Sequence, residues 1–97
     1  MKRSVELHLN ARLELLDATK TYTQESAALG KRFHGQVRLA IRNARSAPLR
    51  FPILIDDYRR VVLAKFPYVV VFRLVEPVVF IVAVAHGKRE PNYWLGR

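Results

Sequence analysis

Cysteine is absent from the 97 residues, which removes disulfide frameworks, thiolate zinc sites and thiol catalysis, and permits a reducing compartment. Long apolar runs are missing as well. Arg73, Glu76 and Pro77 interrupt the stretch from Tyr68 to Ala85, and a membrane span needs about 20 residues, so no membrane segment is expected. Lys2 and Arg3 open the chain, but Glu6, His8, Asn10 and Arg12 leave no apolar segment behind them. A secretory signal is therefore not expected, and the expected location is cytoplasmic. There is no glycine-rich phosphate loop, no dinucleotide fingerprint and no Ser–His–Asp spacing, so no cofactor is expected. His8, His34 and His86 stand too far apart to suggest a metal cluster, and no carboxylate pair has useful spacing.

Acidic residues are the other scarcity. Eight Asp and Glu face 17 Lys and Arg, a formal charge of +9. Both halves of the chain share the excess, so this is not a neutral domain with a basic tail. Between Glu25 and Asp56 there is no acid at all, whereas Lys31, Arg32, Arg38, Arg42, Arg45 and Arg50 all fall there. Such a field predicts an anionic partner, either nucleic acid or an acidic protein.

What is present suffices for one small folded domain over residues 1–97, since 51% of the residues are apolar. Val5, Leu7 and Leu9 alternate with polar residues and predict a short strand. Asn10 is a candidate N-cap for a helix from Ala11 to about Ala28, with Leu15, Ala18 and Tyr22 in one apolar row widened by Leu13 and Leu16. Gly30 would separate it from a second helix, in which Phe33, Val37, Ala40, Ile41 and Ala44 share one face and Lys31, Arg38, Arg42 and Arg45 another. Pro48 ends that helix. Tyr58 to Lys65, Tyr68 to Val75 and Val78 to His86 then read as strands. Their connections are too short for a parallel crossover, so they must be antiparallel. The expected fold is α+β, in the order β-α-α-β-β-β, with a helical hairpin on a twisted antiparallel sheet.

The chemistry concentrates at the end of the chain. A strand that leaves the core and at once presents His86, Lys88, Arg89 and Tyr93 holds the parts of a phosphate-handling site: an imidazole for protons, a planar fork for phosphate and a phenol donor. Arg73 breaks an otherwise apolar strand on the face of Val69, Val71 and Val75, a costly placement unless it meets an anion or the sheet rim. Strict alternation puts His86 on the face of Phe80, Val82 and Val84. Trp94 is expected to pack the C-terminus onto the core.

The run from Tyr58-Arg59-Arg60-Val61 through Phe66-Pro67-Tyr68, the strand carrying Arg73, and the ending Ala83 to Trp94 resemble the RelE/ParE superfamily of bacterial toxins, also called plasmid-stabilisation proteins. The segments Ala11 to Leu15 and Leu29 to Phe33 resemble its helical hairpin. The likeness spans essentially the whole chain, although the hairpin at Glu76-Pro77 is shorter than the family's usual turn. It implies the toxin of a type II toxin-antitoxin system, neutralised by a cognate acidic antitoxin in a hetero-oligomer. The superfamily divides on mechanism. RelE-like members are metal-free endoribonucleases that cut mRNA on the ribosome, whereas ParE-like members inhibit DNA gyrase. The residues lean toward RNA cleavage. On that resemblance Arg73 and Arg89 would hold phosphate, His86 would transfer a proton, Tyr93 would stack or act as acid, and Arg59, Lys65 and Lys88 would bind RNA.

Overall fold

The computed structural model describes residues 2–97. Strand β1 (Ser4–Leu7) leads into helices α1 (Leu9–Glu25) and α2 (Ala27–Ser46), followed by a 3-10 turn at Pro48–Arg50. Strands β2 (Ile53–Ile55), β3 (Tyr58–Val62), β4 (Tyr68–Val75) and β5 (Val78–His86) complete it. The sheet order is β1-β5-β4-β3-β2. The last four strands pair antiparallel with one another, as their short connections require. β1 lies parallel to β5, which makes the sheet mixed. The α1–α2 hairpin separates β1 from the rest of the sheet, so the connectivity that forces antiparallel pairing on the later strands does not apply to it. β2 was not expected: Ile53-Leu54-Ile55 is a three-residue edge strand, too short for periodicity to reveal.

The helix boundaries follow from their caps. α1 starts before Asn10 because His8 is its cap: the His8 N–H donates to Ile81 O at 2.9 Å, and its Nδ1 accepts from the Asn10 N–H at 3.0 Å. The break between the helices falls at Ser26, whose Oγ accepts from the Leu29 N–H at 3.0 Å. Gly30 lies inside α2, and its missing side chain serves packing. A Cβ there would sit 2.0 Å from Thr23 Oγ1 on α1. The glycine is what lets the two helices approach.

Helix and sheet meet over Phe33, Val37, Ala40 and Ala44 from α2, Ala11 and Ala18 from α1, and Val70, Phe72, Val79, Ile81 and Val84 from the sheet. The Phe66-Pro67-Tyr68 turn closes one end of this core. Phe33 sits 5.3 Å from Phe66 and 4.9 Å from Tyr68 between ring centroids, both edge-on, the arrangement that aromatic quadrupoles favour. β3 stops at Val62 rather than Lys65, which takes a left-handed φ of 69° in that turn. Leu13 and Leu16 do not widen the buried row of α1. They are 51% and 59% exposed and form, with Leu9 at 66%, a separate apolar stripe on the outside. Among the described residues no helix is long and apolar enough to cross a membrane.

Candidate functional site

The sheet face away from the helices is covered by the chain's own end. Trp94 packs on Tyr58, with ring centroids 4.8 Å apart, and joins Val71, Val82, Ala83 and Ala85 in a second buried cluster. Trp94 is 3% exposed, the packing role expected of it.

β1 stops pairing with β5 at Ile81 and leaves the far half of β5 without a strand on that side. Two side chains take its place. Glu14 Oε1 accepts from the Val84 N–H at 3.0 Å, and Arg97 Nη1 donates to Val82 O and to Glu14 Oε1, both at 3.0 Å. Tyr93 completes the arrangement by donating its hydroxyl to Glu14 Oε2 at 2.7 Å. Glu14 and Arg97 are each 15% exposed, so the ion pair is largely desolvated, and hydrogen bonds to Glu14 satisfy its carboxylate. Burial, then the hydrogen bond to Glu14, raises the Tyr93 pKa above the ordinary phenol value. The Arg89 guanidinium lies 3.9 Å above the Tyr93 ring, and that of Arg97 lies 5.1 Å from it. Tyr93 is thus committed internally through both its hydroxyl and its ring.

Arg73 is committed too. It forms a bidentate pair with Asp57, Nε to Oδ1 at 3.0 Å and Nη2 to Oδ2 at 2.9 Å, beside the Tyr58 ring. The hydrogen bond from Arg73 holds the Asp57 carboxyl below its ordinary value. Arg73 lines a cleft of about 380 Å3 with Phe80, Val82 and Arg97 but stands far from His86. Arg73 pairs across strands with Phe80, and Tyr68 with His86. From Phe80 to His86 is six residue steps, roughly 20 Å along a strand.

The two residues also lie on opposite faces. Val71 pairs with Ala83 but Phe72 with Ile81, so Val82 is an extra residue in β5. This bulge breaks the alternation. Val82 packs in the cluster under Trp94, whereas Val84 packs in the helix-side core. His86 follows Val84 to the helix side, where its ring meets Tyr68 edge-on at 5.0 Å. Its Nδ1 accepts from the Lys88 N–H at 2.9 Å. His86 therefore does not share a face with Phe80 and Val82, and it does not meet Arg73.

Arg59 likewise faces the helix side, where its Nη1 donates to Phe51 O at 2.6 Å. Lys65 and Lys88 are exposed in loops. The arginine that the pattern missed is Arg60, which lines a cleft of about 250 Å3 with Leu54, Val69, Arg89 and Tyr93. Alternation from the inward Tyr58 could have found it. The cleft brings Arg60, Arg89 and Tyr93 together, places His86 at its rim and excludes Arg73. Val69, Val71, Ala85 and Trp94 give it an apolar floor, and Glu90 lines it beside Arg60 and Arg89, a surface fitted to bind rather than a convergent set of proton donors and acceptors. Among the described residues no three His, Asp or Glu side chains cluster as metal ligands.

No curated protein matches the sequence. A solved structure described as the chromosomal ParDE TA system from P. aeruginosa superposes with a TM-score of 0.75 at 12% identity, over 88% of this chain and 96% of that one. At that identity the likeness is one of fold. The sequence itself carries the stronger assignment, because residues 5–91 match the family model described as the ParE toxin of the type II toxin-antitoxin system, parDE. That match takes in β1 from Val5, the helical hairpin and all of β2 to β5, so the chain belongs to the ParE toxin family of type II toxin-antitoxin systems.

Proposed function

We propose that this toxin acts by binding a protein target, DNA gyrase as in the ParE-like members it resembles, and that it does not cleave mRNA. The observation that carries this reading is the dispersal of the residues an RNA-cleaving site would need. Arg73 is held by Asp57 on one face, His86 caps a loop on the other, and the Tyr93 hydroxyl is held by Glu14. Metal-free cleavage requires an acid, a base and a cation within hydrogen-bond reach of one phosphate. Binding a protein requires only a complementary surface. Family membership supports the same choice. On the side of ribosome-dependent RNA cleavage stands the cationic rim of Arg60 and Arg89 beside His86.

The partner that silences the toxin is, on this reading, a cognate antitoxin with an extended acidic segment. The net charge of +9 would steer it, and the exposed Leu9, Leu13 and Leu16 stripe offers the apolar contact that slows release. The test is the order of events after expression in a bacterial host without antitoxin. A DNA damage response that precedes any loss of message is expected. Early loss of messages on ribosomes, with no damage response, would overturn the reading.

A further inference from the structure

The basic face of α2 is used by nothing described so far. Lys31, Arg38, Arg42 and Arg45 are all exposed. At about 100° per residue they fall within about 60° of one another, and at about 1.5 Å per residue they form a row about 21 Å long. Among the described residues the salt bridges are Arg3–Glu76, Arg73–Asp57 and Arg97–Glu14, so no carboxylate neutralises any of the four. Arg45 is fixed at one end of the row, its Nε donating to Arg3 O at 2.7 Å. Gly35 lies beside the middle of the row, and nothing stands within 4 Å of where its Cβ would be. Glycine inside a helix costs about 0.5–1 kcal/mol relative to alanine. No contact within the molecule accounts for it here. What it does is leave the helix surface bare between the cations.

The chemistry of this row selects its ligand. A tight protein interface is centred on aromatic or aliphatic anchors, whereas Val5 and Ile41, which line a cleft with Arg38, Arg42 and Arg45, are already packed against the core. A phosphate backbone needs no such anchor, only cations at intervals on a smooth surface. We infer that the α2 stripe binds the phosphate backbone of duplex DNA without reading sequence, through Lys31, Arg38, Arg42 and Arg45. The inference does not depend on which target the toxin inhibits. Bound this way, the toxin would be held along DNA while the Arg60–Arg89 cleft, on the sheet face away from the helices, remains free.

The experiment is fluorescence anisotropy of the full chain with a 20-base-pair duplex of mixed sequence across a salt series. About four phosphate contacts give a slope of log K against log salt near −3.6, or roughly 10²-fold weaker binding between 50 and 200 mM salt. Arg38→Gln with Arg42→Gln should lower the slope by about 2 and leave only about a tenfold change over that range. Arg12→Gln with Lys20→Gln removes the same charge from exposed positions on α1 and should leave the slope unchanged. All proteins are first shown to melt cooperatively. Equal losses from both pairs would mean that net charge alone binds DNA, and would overturn the inference. A salt-independent affinity would do so as well, as would binding of a poly-glutamate peptide as tightly as the duplex, which would make the stripe an acidic-protein surface.

Discussion

Glu14 on α1 and Tyr93 near the chain's end, 79 residues apart, share a 2.7 Å hydrogen bond. The same carboxylate satisfies the Val84 N–H and the Arg97 guanidinium. One side chain thereby ties α1, the bare edge of β5 and the C-terminal segment together. Tyr93→Phe should cost about 1.5–3 kcal/mol of unfolding free energy, the worth of a hydrogen bond to a charged group. Glu14→Ala should cost about 3–5 kcal/mol, since it strands Arg97 in a desolvated place. Urea denaturation measures both. The pH sign follows from the raised Tyr93 pKa. Its contribution is fully present below the unfolded phenol value of about 10 and is lost as pH rises past it, so wild type should lose its advantage over Tyr93→Phe in alkali.

Gly30→Ala tests the approach of the helices. With Thr23 Oγ1 2.0 Å from the added methyl group, the helices must separate, at a cost of about 1–3 kcal/mol despite alanine's better helix propensity. Thermal melting should show the loss, and Gly30→Ala with Thr23→Ala should recover part of it.

Arg73→Lys and His86→Gln, combined, should leave a folded and fully toxic protein. The Arg73–Asp57 pair is 36% and 53% exposed, so its loss costs at most about 1 kcal/mol. Because Arg73 holds the Asp57 carboxyl below its ordinary value, the pair's contribution is present above about pH 4 and fades as pH falls. Growth arrest by the double variant, with antitoxin binding retained, is the expected result. Loss of toxicity in the folded double variant would return the weight to RNA cleavage.

Leu13→Asp with Leu16→Asp should leave the melting profile nearly unchanged, since both side chains are more than half exposed. It should weaken antitoxin binding at least tenfold, through both lost apolar contact and added repulsion of an acidic segment. Calorimetric titration of the purified pair reads this directly.

The long apolar strands β4 and β5 were legible because Tyr68 to Val75 and Val78 to His86 cannot be solvated helices, and the position of Trp94 followed from its size. Other features depended on facts that no local pattern carries. Gly30 reads as the helix break, and only the contact with Thr23 shows that it belongs inside α2, with the break at Ser26. Arg73 keeps the face of Val69 and Val71 that alternation gives it, but His86 was misjudged because counting by twos fails across one extra residue in β5, Val82. The same counting, begun at Tyr58, would have chosen Arg60 over Arg59 for the cleft. Glu14 gave no signal in sequence. Its three partners come from β5 and the chain's end, and only the fold brings them to α1.

The central claim is that the toxin binds a protein target and cuts no RNA. Its most direct test measures supercoiling of relaxed plasmid by purified DNA gyrase with increasing toxin, beside mapping of mRNA 5′ ends on translating ribosomes given the same protein. The account predicts that supercoiling falls in proportion to toxin, that antitoxin restores it, and that messages stay intact. Cleaved messages with supercoiling undiminished would contradict it.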